Sequence, residues 1–238
     1  WDIQLCNVAE PFRTQYRELA MAQILYYYGG FVVPNSFLCL NNLISLYQTG
    51  IANNKPFVLE SINRISNEEQ MPRKLAFVPD KYFMGCLKND PHMEPYISYL
   101  KSRCQNPHFS EEITFKGATS QFLIQQMNTN KMNMLDGKYI GIKTKKNKPV
   151  LIEELFEDNI IEFSSDMCGI YIDQDVILNR HKYEWFAQLS KQQVFEVNNV
   201  LVKYMKQAVM ERPRKTTIKA IEEGEPIHLN AHQTVVAL

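Results

Sequence analysis

The chain has 238 residues, of which 45% are hydrophobic and 11% aromatic, so it can bury a sizeable core and is not composed like a disordered protein. Lys plus Arg and Asp plus Glu both number 26. This balance excludes the overall basic field that is typical of general nucleic-acid binders and membrane-surface proteins. No run reaches the ~18–20 uninterrupted apolar residues that a membrane span needs.

The first clear pattern predicts a helix over residues 12–28. Pro11 suits the first helical position and Gly29 suits a left-handed C-cap. The helix ends in the run YYYGGFVVPN, which is either an aromatic shelf for a ligand or a helix end followed by an extended connector. Successive residues of a helix point about 100° apart, so three tyrosines cannot form one flat shelf. We therefore favour the helix end, with residues 31–33 extended.

Further helices are predicted over residues 36–50, 57–65, 80–87 and 95–104, because apolar residues recur there at intervals of three and four. The first half of the chain is thus predicted to be a helical region over residues 1–105. The sequence QNPH that begins at Gln105 is the best candidate for a domain boundary.

The second half changes character. Residues 113–115, 160–163 and 169–173 are predicted strands, residues 121–127 are ambiguous, and KYIGIKTKKNKPVLIEELF has the form of a hairpin. Ser190 and Gln193 match a capping box at the start of a long helix that Pro213 ends. We predict an α+β fold with a helical N-terminal half, a mixed sheet-and-helix region over residues 106–212 and an extended C-terminal arm over residues 213–238.

The lysine-rich hairpin is the first candidate site. Its tip can lie along a phosphate backbone, which predicts contact with nucleic acid. The alternative is a solvated turn whose lysines keep a strand edge from pairing, and the acidic residues that follow at once agree with it. The residues of this candidate site are Lys138, Tyr139, Lys143, Lys145, Lys146 and Lys148.

The second candidate site is a metal centre at Asp173 and Asp175. Carboxylates two residues apart in an extended chain lie on the same side and could hold Mg²⁺ or Mn²⁺ for phosphoryl, nucleotidyl or glycosyl transfer or for hydrolysis. The simpler alternative is a strand end followed by an Asp helix cap, which needs no cofactor. The chain has no GxxxxGK[ST], GxGxxG, HExxH or GxSxG motif, which favours a non-catalytic protein.

The third candidate is an apolar stripe on the last long helix. It either packs against a partner or forms the inner face of the chain's own core. The tail that ends in TVVAL could likewise add a strand to a neighbouring subunit or fill a groove on it. The stripe consists of Val194, Val197, Leu201, Tyr204 and Met205.

Five cysteines at wide, irregular spacings and the absence of an Asn-x-Ser/Thr site favour a reducing, intracellular compartment. The leading functional prediction is a non-catalytic interaction or scaffold subunit of a larger intracellular assembly, whose partner is another protein or a second copy. A nucleic-acid-contacting module at the hairpin and a metal-dependent enzyme at Asp173 and Asp175 remain the alternatives.

Overall fold

The computed structural model describes residues 8–9, 12–62, 77–105, 111–172, 177, 181–210 and 235–237. The helices and the mixed sheet within these residues confirm the predicted α+β class. The chain divides into two compact units. Unit 1 comprises Trp1–Pro34, Ile44–Asp136 and Asn230–Leu238, and unit 2 comprises Asn35–Leu43 and Gly137–Leu229. The boundary predicted after Gln105 falls inside unit 1.

Helices and strands alternate along much of the described chain. The described strands are β1 Gly30–Val33, β2 Phe37–Cys39, β3 Phe57–Ile62, β4 Phe77–Cys86, β5 Asn133–Leu135, β6 Gly169–Tyr171 and β7 Val235–Ala237. The described helices are α1 Phe12–Tyr28, α2 Ile44–Gly50, α3 Glu94–Gln105, α4 Glu111–Asn128, α5 Ile152–Leu155, α6 His181–Ala187, α7 Lys191–Glu196 and α8 Val200–Met210.

Unit 1 is built on a five-stranded mixed sheet with the strand order β5-β3-β4-β1-β7. The central strand β4 pairs antiparallel with β1 and β3, whereas β5 and β7 run parallel to β3 and β1 at the two edges. Leu25 of α1, Leu100 of α3 and Leu123 of α4 are buried with Met84 of β4 in one core cluster. Hydrophobic burial therefore holds three helices against the sheet.

Aromatic rings form a second core cluster in unit 1. The ring centres of Phe31 and Phe57 lie 5.1 Å apart, and those of Phe31 and Phe83 lie 6.4 Å apart. A Cβ atom on Gly50 would lie 2.4 Å from the Phe57 ring, and one on Gly85 would lie 2.2 Å from it. The two glycines thus make room for a ring that packs α2 against the sheet.

The strands β3 and β4 correct the helices predicted over residues 57–65 and 80–87, and so correct the helical N-terminal half; residues 63–65 lie outside the described part of the chain. Phe57, Val58 and Leu59 are fully buried because β3 lies inside the sheet. A strand that is covered on both faces shows no alternation of apolar and polar residues. A short apolar run of this kind satisfies helical spacing equally well.

The helix predicted over residues 36–50 is half wrong, because its first part forms β2. In unit 2, β2 pairs antiparallel with β6, with Phe37 opposite Tyr171 and Cys39 opposite Gly169. The second part is the helix α2 of unit 1. A strand partner distant in sequence has overridden the local helical spacing. The same pairing confirms the strand predicted from Gly169 as far as Tyr171, where β6 ends.

Two strands predicted in the second half are also wrong. Residues 113–115 lie in α4, because the preference of three residues for a strand is weaker than the stability of an 18-residue helix. Residues 160–163 are all described and have an irregular backbone, and Ile160 is 94% exposed. The predicted helix over residues 12–28 is confirmed as α1, and α3 confirms the helix predicted over residues 95–104.

The long helix predicted from Ser190 breaks into α7 and α8. Its capping box is confirmed, since Gln193 N donates to Ser190 Oγ and Ser190 N donates to Gln193 Oε1. Val197 then takes an extended conformation, and Asn199 Oδ1 accepts a 2.8 Å hydrogen bond from Val202 N. Asparagine favours the N-cap over the helix interior, which explains a new helix start within VNNV.

The predicted C-terminal arm lies outside the described residues except for β7. This strand pairs in parallel with β1, with Phe31 opposite Val235 and Val33 opposite Ala237. In this structure the tail therefore adds a strand to its own chain's sheet.

No helix in the described ranges combines the length and apolar character that crossing a membrane requires.

Candidate functional site

The structure closes the lysine hairpin of unit 2 as a tight turn, although its flanks are not regular strands. Lys143 and Pro149 form an antiparallel bridge, and Thr144 N donates to Lys148 O at 2.9 Å. A 3₁₀ turn precedes the hairpin and α5 follows it. Lys145, Lys146 and Lys148 come together at the exposed tip.

The other members of the predicted hairpin site are not part of this tip. Lys143 is only 7% exposed. Lys138 has its Nζ atom 5.4 Å from the centre of the Tyr139 ring, within the 3₁₀ turn. At the tip itself, Lys146 Nζ lies 3.7 Å from Glu162 Oε2. The exposed cationic surface of the hairpin is therefore smaller than the sequence predicts.

The apolar stripe contributes to the core of unit 2. Leu201 is 1% exposed, which leaves its side chain no surface for a partner. Tyr204 and Met205 are half-buried against the same core. Val194 on α7 and Val197 after it are also half-buried, and the helix break at Asn199 separates them from the rest of the stripe.

Asp173 and Asp175, the predicted metal ligands, lie outside the described residues. Asp166 and His181, which flank them in sequence, are both exposed, and His181 Nδ1 lies 3.3 Å from Glu184 Oε2. Among the residues that the structure describes, no group of three or more His, Cys, Asp or Glu side chains could hold a metal ion.

Unit 1 carries a groove that none of the predicted sites included. Its volume is about 870 Å³, and α1 supplies Tyr16, Leu19, Gln23, Tyr27 and Tyr28 to its lining. The first four residues follow one another at intervals of three or four, so they share one face of α1. At a rise of 1.5 Å per residue, this face extends over about 16 Å from Tyr16 to Tyr27.

The rest of the lining comes from α3 and from the turn after β4. Lys101, Cys104 and Gln105 belong to α3, and Lys88 and Asn89 belong to the turn. We call the surface formed by these residues and the five from α1 the Tyr–Lys groove. Cys104 contributes a buried thiol, and burial raises its pKa to about 11, so this thiol is protonated at neutral pH.

Two hydrogen bonds show that α1 and α3 run antiparallel. The hydroxyl group of Tyr26, near the end of α1, donates to Glu94 Oε1 at the start of α3 over 3.0 Å. The hydroxyl group of Tyr16, near the start of α1, donates to Cys104 O at the end of α3 over 3.4 Å. Lys101, one turn before Cys104, therefore lies toward the Tyr16 end of the groove.

The turn that carries Lys88 packs directly on the end of α1. Asn89 N donates to Tyr26 O at 2.7 Å, and a Cβ atom on Gly29 would lie 2.7 Å from Lys88 N. Gly29 has a φ of +70°, in the left-handed region that favours glycine. The glycine after the three tyrosines thus ends α1 and lets the Lys88 turn approach Tyr27 and Tyr28.

The charged groups of the groove are cations. Lys88 and Lys101 are exposed, and neither ammonium group has a hydrogen-bond or ion-pair partner among the described residues. None of the described lining residues carries a carboxylate. The carbonyl end of α1 already accepts backbone hydrogen bonds from Gly29 and Asn89, so it does not require Lys88 as a cap. The groove therefore favours an anionic ligand.

The tyrosines supply the aromatic surface. Tyr27 and Tyr28 are 53% and 60% exposed. Tyr26 bonds Glu94 instead, and its ring meets that of Tyr27 edge to face at 5.3 Å. The run YYYGG is thus a helix end, and two of its three tyrosines also line a groove.

The sequence contained only part of the signal for this groove. Tyr16, Gln23 and Tyr27 place polar and aromatic side chains on one face of α1, and this spacing can be read from the sequence. Lys88 and Lys101 are distant in sequence. They reach the tyrosines because β1 pairs with β4 and α1 packs along α3.

No model of a protein family, no curated protein and no solved structure matches this chain.

Proposed function

We propose that the chain is a non-catalytic binding subunit of a larger intracellular assembly and that it holds an anionic partner in the Tyr–Lys groove. One observation carries the proposal: two lysines without a counter-ion among the described residues share a groove with three tyrosines and no carboxylate. Lysine supplies electrostatic attraction, and tyrosine supplies a large contact area at a low cost in conformational entropy.

The chemistry of the lining supports binding rather than catalysis. The described lining residues include neither carboxylate nor imidazole groups, which most often transfer protons at neutral pH. Cys104 is 5% exposed and the pKa of its thiol is raised, so the thiol is a poor nucleophile. The amides of Gln23, Asn89 and Gln105 can donate and accept hydrogen bonds but do not ionise at neutral pH.

Inorganic polyphosphate tests the charge requirement, because it carries phosphate groups and no aromatic ring. We expect Lys88→Glu and Lys101→Glu each to weaken polyphosphate binding about tenfold, measured by isothermal titration calorimetry at low salt. Lys131→Glu is the matched control, since Lys131 is an exposed lysine of unit 1 outside the groove. An equal loss in all three variants, or no loss in any, would contradict the proposal.

A further inference from the structure

The Tyr–Lys groove repeats one arrangement at two positions along its length. Near the end of α1, Tyr27 and Tyr28 lie beside the turn that carries Lys88. Toward the start of α1, Tyr16 is held against the last turn of α3, one turn beyond Lys101. Each position thus combines an aromatic ring with a cation. A ligand that alternates planar rings and negative charges along its length would match both positions.

We infer that the groove binds a single strand of nucleic acid, an inference that rests on the proposed function. Bases stack on Tyr27, Tyr28 and Tyr16, and backbone phosphates lie at Lys88 and Lys101. Aromatic platforms in a basic groove are the general means by which proteins bind single strands with little sequence preference. The balanced net charge of the chain agrees with a short local contact rather than an extended basic surface.

Four features favour a single strand over other polyanions. The exposed tyrosine rings have no role in binding a ligand that offers charge alone, such as polyphosphate. A duplex keeps its bases stacked on one another and cannot present their faces to the rings. The amides of Gln23, Asn89 and Gln105 can bond base edges, which carry both donors and acceptors. The face of about 16 Å on α1 also exceeds what one base needs.

The inference is tested by fluorescence anisotropy with labelled thymidine and uridine oligonucleotides of about ten nucleotides, a length within the range of known single-strand sites. We expect both strands to bind, and the tighter of the two distinguishes DNA from RNA as the preferred ligand. Tyr27→Ala with Tyr28→Ala should weaken binding by at least about tenfold, because stacking is lost. Tyr27→Phe with Tyr28→Phe keeps the rings and should bind within about twofold of the native protein.

Salt dependence tests the phosphate contacts separately. For single strands, the slope of log K against log salt concentration is about −0.7 for each neutralised phosphate, so Lys88→Gln with Lys101→Gln should make this slope less negative by about 1.4.

Equal binding of the alanine and phenylalanine variants would overturn the inference. A duplex that binds as tightly as the single strand would also overturn it. So would a mononucleotide that competes as well as the oligonucleotide. If the lysine variants still weaken polyphosphate binding in those cases, the proposed function stands; if polyphosphate binding is also unaffected, both fail.

Discussion

Replacing Glu18 with Ala is expected to lower the free energy of unfolding by about 3–5 kcal/mol. Glu18 lies on α1, and its carboxylate contacts the ammonium group of Lys81 on β4. Its other oxygen accepts a 2.8 Å hydrogen bond from the hydroxyl group of Tyr96 on α3. Both charged side chains are only 9% exposed. Alanine therefore leaves a nearly buried ammonium group without its carboxylate and removes the acceptor for Tyr96.

Chemical denaturation followed by far-UV circular dichroism measures this loss. The control is Glu18→Gln with Lys81→Met, which removes both charges and keeps an amide oxygen for Tyr96. Replacing both members of a buried ion pair is far less costly than removing one of them, so we expect this variant to recover most of the lost stability. If Glu18→Ala lowers the free energy of unfolding by less than about 1 kcal/mol, the pair contributes no more than an ordinary surface ion pair. That result would contradict the prediction for a buried pair.

Gly29→Ala is expected to lower the free energy of unfolding by at least about 2 kcal/mol and to weaken polyphosphate binding. A residue with a side chain in the left-handed region costs about 1–2 kcal/mol. The added Cβ atom would also lie 2.7 Å from Lys88 N, a backbone atom that cannot rotate away. The Lys88 turn must therefore move away from the end of α1, and the groove loses one of its two cations.

Gly117→Ala is the matched control for this substitution. Gly117 lies inside α4, and a Cβ atom there would meet nothing within 4 Å. Alanine in a helix interior is favoured over glycine by about 0.5–1 kcal/mol, so this variant should be more stable than the native protein and should bind polyphosphate equally well. Equal stability of the two alanine variants would show that the close approach at Gly29 does not matter.

Local sequence rules predicted the elements whose ends carry strong chemical signals. Pro11 and Gly29 indicated the bounds of α1, and Ser190 with Gln193 indicated the start of α7. The strands β3 and β4 were missed, because burial on both faces removes the alternation by which strands are recognised. The break before α8 depends on Asn199 as an N-cap, a signal that was present in VNNV and was outweighed by the apolar periodicity around it.

The candidate site was less predictable than the helices. The density of lysines in the sequence indicates the hairpin as a cationic site, but in the structure Lys143 is buried and Lys146 has a carboxylate nearby. Lys88 and Lys101 are isolated in sequence and became notable only when the fold placed them beside tyrosines of α1. Long-range pairing of helices and strands decides such proximity, and neither composition nor local spacing contains it.

Lysine acetylation with and without a single-stranded thymidine oligonucleotide, read out by mass spectrometry, tests the central claim most directly. We expect the oligonucleotide to protect Lys88 and Lys101 and to leave Lys131 and the hairpin residues Lys145 and Lys148 as reactive as before. The result that would contradict the claim is protection at Lys145 and Lys148 with full reactivity at Lys88 and Lys101. That outcome would show that nucleic acid contacts the lysine hairpin of unit 2 and not the Tyr–Lys groove of unit 1.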